Sequence, residues 1–277
     1  VSELAEFSRL AVTLEPWRKQ IVFIGGWAFR LYRYEPRAYT ADHTPIFTQD
    51  ADVAYDKREP LEGDIKKALE GAGFIEEPNL AGGFRPPAMR YNLGGDTSGF
   101  YAEFLTPLTG SGKKRDGNRE LREDATELHA GVVAQKLRYL EVLLHKPWLV
   151  SIPADESGLN EAVADLRVPN PVSFIIQKLL IRDKRVAHKR AQDVLYIHDT
   201  LQIFYGAIET DLAPIWKELE GTLDQKQKNS VRNGVRELFW EMNDVIRAAA
   251  AIPTDKRAPE AMLKLCKEGF EELFGEV

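Results

Sequence analysis

Ile21-Val22-Phe23-Ile24-Gly25-Gly26-Trp27 decides the fold of this chain. Four apolar residues with strand character end in two glycines and continue into Trp27-Ala28-Phe29-Arg30-Leu31-Tyr32, which carries helical spacing. The stretch therefore reads as a buried strand, a turn and a helix in succession. Glycine lets the backbone approach a neighbour that a Cβ would hold off, and the first N–H groups of a helix lack intrahelical partners, so the join suits an anion. Downstream, Thr48 to Tyr55 alternates as a strand and sets Asp50 and Asp52 one repeat apart on a single face. Two carboxylates so placed can share a hard divalent cation, Mg²⁺ or Mn²⁺, whose other positions take water or phosphate oxygens.

Working outward, residues 3 to 14 show apolar positions at helical steps, and Asp64 to Gly71 reads as a helix closed by Gly71 or Gly73. Ala88–Leu93 and Phe100–Leu105 are strand candidates joined by a Gly-rich connection, which predicts a hairpin. Glu103 is the one acid in the second of these. A carboxylate in a buried strand needs its charge compensated, and a metal shared with Asp50 and Asp52 would do so; otherwise the strand is an edge and Glu103 faces water. Thr109 to Asp124 mixes five bases with acids and reads as a loop, in which Lys113 to Arg115 are candidate substrate contacts. Gly131 to Leu144 is expected to be an amphipathic helix, and Trp148–Ile152 with Ala162–Val168 to be strands. Pro169 and Pro171 then stop the sheet. Beyond them the spacing predicts helices over 173–181, 189–204, 212–223, 227–250 and 259–274.

Composition bounds the function classes. The 277 residues are 44% hydrophobic and 29% charged, with Lys plus Arg at 37 against Asp plus Glu at 43, a formal net charge of -6. This excludes a generally basic nucleic-acid coat, although local patches remain. No apolar run reaches the roughly 18 to 20 residues of a membrane span, and the acidic start is unlike a signal peptide, so a cytoplasmic protein with no membrane partner is expected. The single cysteine, Cys266, excludes an intramolecular disulfide and disfavours a zinc site, and the five histidines fall in no metal-ligand spacing.

The Ile24-Gly25-Gly26-Trp27 turn, the Asp50/Asp52 pair and the Glu103 strand, in that order, resemble the nucleotidyltransferase superfamily that shares its core with polymerase beta. The run Val168-Pro169-Asn170-Pro171, Gln177-Lys178-Leu179-Leu180-Ile181-Arg182-Asp183 and Lys189-Arg190-Ala191-Gln192-Asp193-Val194 is similar to the abortive-infection (AbiEii-like) and related bacterial nucleotidyltransferases. Ala134–Leu140 is also similar to that group, and the likeness covers about residues 5 to 205. The resemblance implies an α/β (α+β) fold: a mixed-sheet nucleotidyltransferase core over residues 1–168, then an all-helical domain over 169–277 that closes over the nucleotide. It implies a catalytic set of Asp50, Asp52, Glu103, Lys178 and Asp193, with Asp50, Asp52 and Glu103 as metal ligands.

Nucleotide binding falls in the same way to Gly25, Gly26, Arg30, Lys178 and Arg182. The implied activity is metal-dependent transfer of NMP from an NTP to a hydroxyl, with an RNA end such as a tRNA as acceptor, in a toxin or phage-defence effector with a cognate antitoxin or regulator. Adenylylation of a protein or of a small molecule such as an aminoglycoside, and a non-catalytic nucleotide-binding regulatory role, are the alternatives. The family often has Gly-Ser where this chain has Gly25-Gly26, and its Asp-x-x-Asp signature is here Asp193-Val194-Leu195-Tyr196. Between 178 and 190 six Lys or Arg stand against one Asp, and Asp193, four after Lys189, is set for an intrahelical ion pair.

Overall fold

The structure, a computed structural model, describes residues 3–40, 48–56, 58–59, 61–79, 88–94, 99–109, 113–116, 119–122, 126–255 and 257–275, with only the backbone of 113–116 and 119–122. The chain forms two units, Val1–Tyr34 with Phe47–Pro169, and Glu35–Ile46 with Asn170–Val277.

The first unit is built on strands β1 (Ile21–Ile24), β2 (Asp50–Tyr55), β3 (Phe74–Asn79), β4 (Ala88–Leu93), β5 (Tyr101–Pro107), β6 (Lys113–Asp116), β7 (Arg119–Arg122), β8 (Thr126–His129), β9 (Val132–Leu137), β10 (Trp148–Ile152) and β11 (Val163–Val168). Its helices are α1 (Glu3–Thr13), α2 (Gly25–Leu31), α3 (Ile65–Gly71), α4 (Leu140–Leu143) and α5 (Ala154–Ser157). Seven strands make one mixed sheet in the order β1-β2-β5-β4-β3, with β9 joining β5 and β8 joining β9. β2 runs parallel to β5, and β1 antiparallel to β2. On the back face Phe23 meets Phe7 of α1 edge to face, and Phe7 stacks on Trp27 of α2 at 4.2 Å, so the first helix is held by aromatic burial. On the front face Val22, Ile24, Ala54 and Leu105 pack under Leu140 and Leu143 of α4. That cover takes one end of the face and leaves Asp50, Asp52, Tyr101, Glu103 and Arg90 partly solvent-accessible at the other.

Three expectations for this region are corrected. Residues 131–144 are not one helix: Val132–Leu137 is strand β9, paired with β5 and β8, and only Leu140–Leu143 is helical. The adjacent β-branched Val132 and Val133 favour a strand, and Tyr139, at φ 62°, turns the chain between the two elements. The 109–124 stretch contains a hairpin rather than only a loop, with Lys113 opposite Arg122 and Asp116 opposite Arg119. Glu103 is not on an edge, because β5 lies between β2 and β4.

The second unit is helical: α6 (Pro171–Ile181), α7 (Ala187–Ile203), α8 (Ala213–Thr222), α9 (Gln225–Phe239), α10 (Asp244–Ala250) and α11 (Pro259–Phe274). α6 starts where it does because the buried Asn170 side chain accepts from Ser173 N at 2.8 Å and Pro171 occupies the first turn, where no backbone N–H is needed. Asp224 and Gln227 form a capping box that starts α9. The single helix expected over 227–250 is two helices, since Asn243 caps a new start by accepting from Val245 N and Ile246 N. Among the described residues no helix is long and apolar enough to cross a membrane.

Candidate active site

The register of the sheet assembles the site. Ile24, the last residue of β1, pairs with Asp52, and Asp52 pairs with Glu103 on the next strand; Asp50 pairs with Tyr101. Directly paired residues project on the same face, and so do residues two apart, so Asp50, Asp52, Tyr101 and Glu103 share one face. Arg90 of β4 is the partner of Glu103 on its other side and completes the row.

The two glycines follow Ile24 and therefore stand beside Asp52. Gly25 has φ +64°, and a Cβ built there would overlap Asp52 Oδ2. A Cβ on Gly26 would meet the Thr48 side chain. The turn thus admits the acidic strand only because both side chains are missing, and the dihedral at Gly25 itself favours glycine. The Thr48 hydroxyl donates to Asp50 Oδ1 and holds that carboxylate in the row.

Glu103 is treated differently. Its Oε1 accepts from Asn79 Nδ2 at 2.8 Å and from Arg90 Nε at 3.0 Å. The Arg90 guanidinium lies 4.5 Å from the centroid of the Tyr101 ring. The Tyr101 hydroxyl records all of these charges at once. Burial, then Asp50, push its pKa up to about 12, with Glu103 and Asp52 adding to the rise and Arg90 opposing it.

As donors, Asp50 and Asp52 fit a hard cation: two carboxylates on one face, with Asp52 Oδ2 lying where a side chain at Gly25 would otherwise stand. Among the described residues no group of three or more His, Cys, Asp or Glu is placed to hold a metal ion. Glu103 neighbours Asp52 in register, and its carboxylate is bonded to Arg90 and Asn79.

Of the other predicted residues, Arg30 belongs to the first unit and Lys178, Arg182 and Asp193 to the helical one. Arg30 pairs with Glu3 of α1 at 2.5 Å and sits over the Trp27 ring. In the helical unit Lys178 Nζ bonds Asp193 Oδ1 at 2.6 Å, and both side chains are more than nine-tenths buried. The ammonium lies 4.6 Å from the centroids of both Phe174 and Tyr196. Asp193 also accepts from Arg185 Nε at 2.8 Å. Burial works to raise the Asp193 pKa, but Lys178 and Arg185 outweigh it and hold the carboxyl below its ordinary value. The expected Lys189–Asp193 pair does not form; Lys189 instead bonds Gln192 at 3.2 Å. Arg182 is buried and ties α6 to α9 through Ser230 and Glu237.

Thr48, Asn79, Tyr101 and Arg90 are contributors that sequence reading passed over. Leu93 N bonds Phe100 O, so counting back three residues on each side of the hairpin sets Arg90 opposite Glu103. A family model described as Nucleotidyltransferase matches residues 3–220 of the chain. No curated protein matches it.

Proposed function

Because this chain belongs to the nucleotidyltransferase family, we propose that it transfers a nucleoside monophosphate from an NTP to a hydroxyl acceptor, with Asp50, Asp52 and Glu103 as the acids of the site. The observation that carries the reading is Asp52, seated against the Cβ-free Gly25 and in register with Glu103. A divalent cation held by Asp50 and Asp52 would supply Lewis-acid polarisation of the phosphate oxygens and lower the pKa of the attacking hydroxyl.

The rest of the work belongs to the chain. Thr48 holds Asp50 through its hydroxyl, and Gly25 lets the Asp52 carboxylate lie against the turn. Arg30, Lys178, Arg182 and Asp193 act in this reading as braces of their own units. Phosphoryl transfer needs positioning and charge stabilisation more than covalent help, and two carboxylates on a rigid parallel strand pair supply the first.

For the acceptor, the similarity of 168–194 to abortive-infection nucleotidyltransferases favours an RNA end such as a tRNA, in a toxin or defence role with a cognate antitoxin. A protein or a polycationic small molecule such as an aminoglycoside is the competing acceptor, and a basic or acidic cleft discriminates between them. One observation favours a second reading, a non-catalytic nucleotide-binding regulator: Glu103 is bonded to Arg90 and Asn79.

The test is incubation of the protein with each labelled NTP, Mg²⁺, and total RNA or lysate, beside Asp52→Asn. Label is expected in one acceptor class with the unchanged protein and reduced about 10²- to 10⁴-fold in the variant, the effect of losing several kcal/mol of metal-borne charge stabilisation. Equal background in both would leave the regulator reading.

A further inference from the structure

Within the sheet a cation, Arg90, stands in the same row as the acidic residues. Arg90 is one strand from Glu103 and two from Asp52; with strands about 4.8 Å apart, the row from Asp52 to Arg90 spans about 10 Å, a length that a polyphosphate and an extended guanidinium together can bridge. Two contacts hold the guanidinium, and part of it stays open to solvent. Its Nε is bonded to Glu103, its plane rests by Tyr101, and its side chain is 31% exposed. Neither terminal amino group has a hydrogen-bond partner among the described residues. A planar fork held at Nε leaves its outer donors open for a first contact with a phosphate. By contrast Arg30 and Lys178 spend terminal nitrogens on Glu3 and Asp193, and Arg182 spends one on Ser230.

We propose that Arg90 is shared between two anions, the Glu103 carboxylate and the pyrophosphate portion of the bound nucleotide, so that triphosphate binding draws the guanidinium away and frees Glu103 to join Asp50 and Asp52. The inference rests on the nucleotidyltransfer reading and adds to it a residue that binds the leaving group. In that transfer the acceptor oxygen bonds the α-phosphorus, the bond from that phosphorus to the bridging oxygen breaks, and the electron pair leaves with pyrophosphate. The hydroxyl proton goes to water. Charge accumulates on the pyrophosphate, where the Arg90 fork stabilises it. Nucleotide and cation then bind with positive coupling, since each favours the arrangement the other needs.

Inorganic pyrophosphate carries no base and tests the idea without knowledge of the preferred NTP. Its affinity at saturating Mg²⁺ is expected to fall roughly 10- to 100-fold in Arg90→Gln, the loss of charge-assisted hydrogen bonds. Arg90→Lys keeps the charge and the pairing with Glu103 but not the fork, and is expected to lose affinity with an unchanged melting temperature. Mn²⁺ binding without phosphate, followed by electron paramagnetic resonance, separates this from a propping role. Arg90→Gln should bind Mn²⁺ at least as tightly as the unchanged protein, whereas Glu103→Gln binds it more weakly. Pyrophosphate affinity unaltered in both Arg90 variants, or Mn²⁺ binding weakened in Arg90→Gln as in Glu103→Gln, overturns the assignment of Arg90. Absence of both pyrophosphate and NTP binding in the unchanged protein overturns the functional reading itself, and this inference with it.

Discussion

Asp52 and Gly25 show how much a single missing methyl group decides. Gly25 combines φ +64° with a carboxylate in the space a Cβ would need. Gly25→Ala must therefore strain its backbone and displace Asp52, at a cost of about 1 to 3 kcal/mol in stability. Transfer activity is expected to fall with it, and thermal melts beside labelled-NTP assays check both effects. The carboxylates of β2 were legible because strand alternation alone puts Asp50 and Asp52 on one face. Glu103 was legible as an odd acid in an apolar strand, but its bonds were not, since they depend on which residue the hairpin register sets opposite it. Arg90 was passed over for the same reason: in Ala88–Leu93 one arginine looks like an ordinary outward-facing strand residue until the pairing is known.

Between elements, the clearest energetic statement concerns α6 and α7. Lys178 and Asp193 form a buried ion pair, and removing one partner leaves the other charge desolvated and unpaired. Asp193→Asn is expected to cost the helical unit about 3 to 5 kcal/mol in urea unfolding, whereas Lys178→Met with Asp193→Leu together cost far less. The pair also sets an acid limit. Asp193 has a lowered pKa when folded, so its contribution is complete above the unfolded carboxylate value of about 3.9 and is lost as the pH falls through the folded value below that. Stability against pH is accordingly expected to drop more steeply below about pH 4 in the unchanged protein than in Asp193→Asn. Spacing placed most of these helices well, because apolar steps of three and four recur over long stretches. It failed at 131–144, where a short apolar run satisfies both periods and only pairing with β5 decides, and at 240–243, where the Asn243 cap interrupts a continuous apolar pattern.

At the scale of the molecule, the two units do not divide the sequence once. The helical unit takes Glu35–Ile46 as well as Asn170–Val277, a contribution that no composition shift near residue 35 announces. Buried Glu35 pairs with Arg37 at 2.6 Å, Arg37 reaches Asp211 at 3.5 Å, and Tyr39 N donates to Ile203 O at 2.7 Å. Glu35→Ala is therefore expected to weaken the helical unit, by about 1 to 2 kcal/mol because water reaches the Arg37 head. Amide exchange should quicken at the C-terminal end of α7 and in 205–212 while the sheet strands keep their protection.

The Tyr39–Ile203 bond also carries a consequence for synthesis. Tyr39 is made more than half a chain length before Ile203, an interval of roughly 10 to 30 seconds at about 5 to 20 residues per second. Every strand of the main sheet has emerged by then, so the sheet can close around its acidic row while residues 35–40 wait, unsheltered, for helices not yet translated.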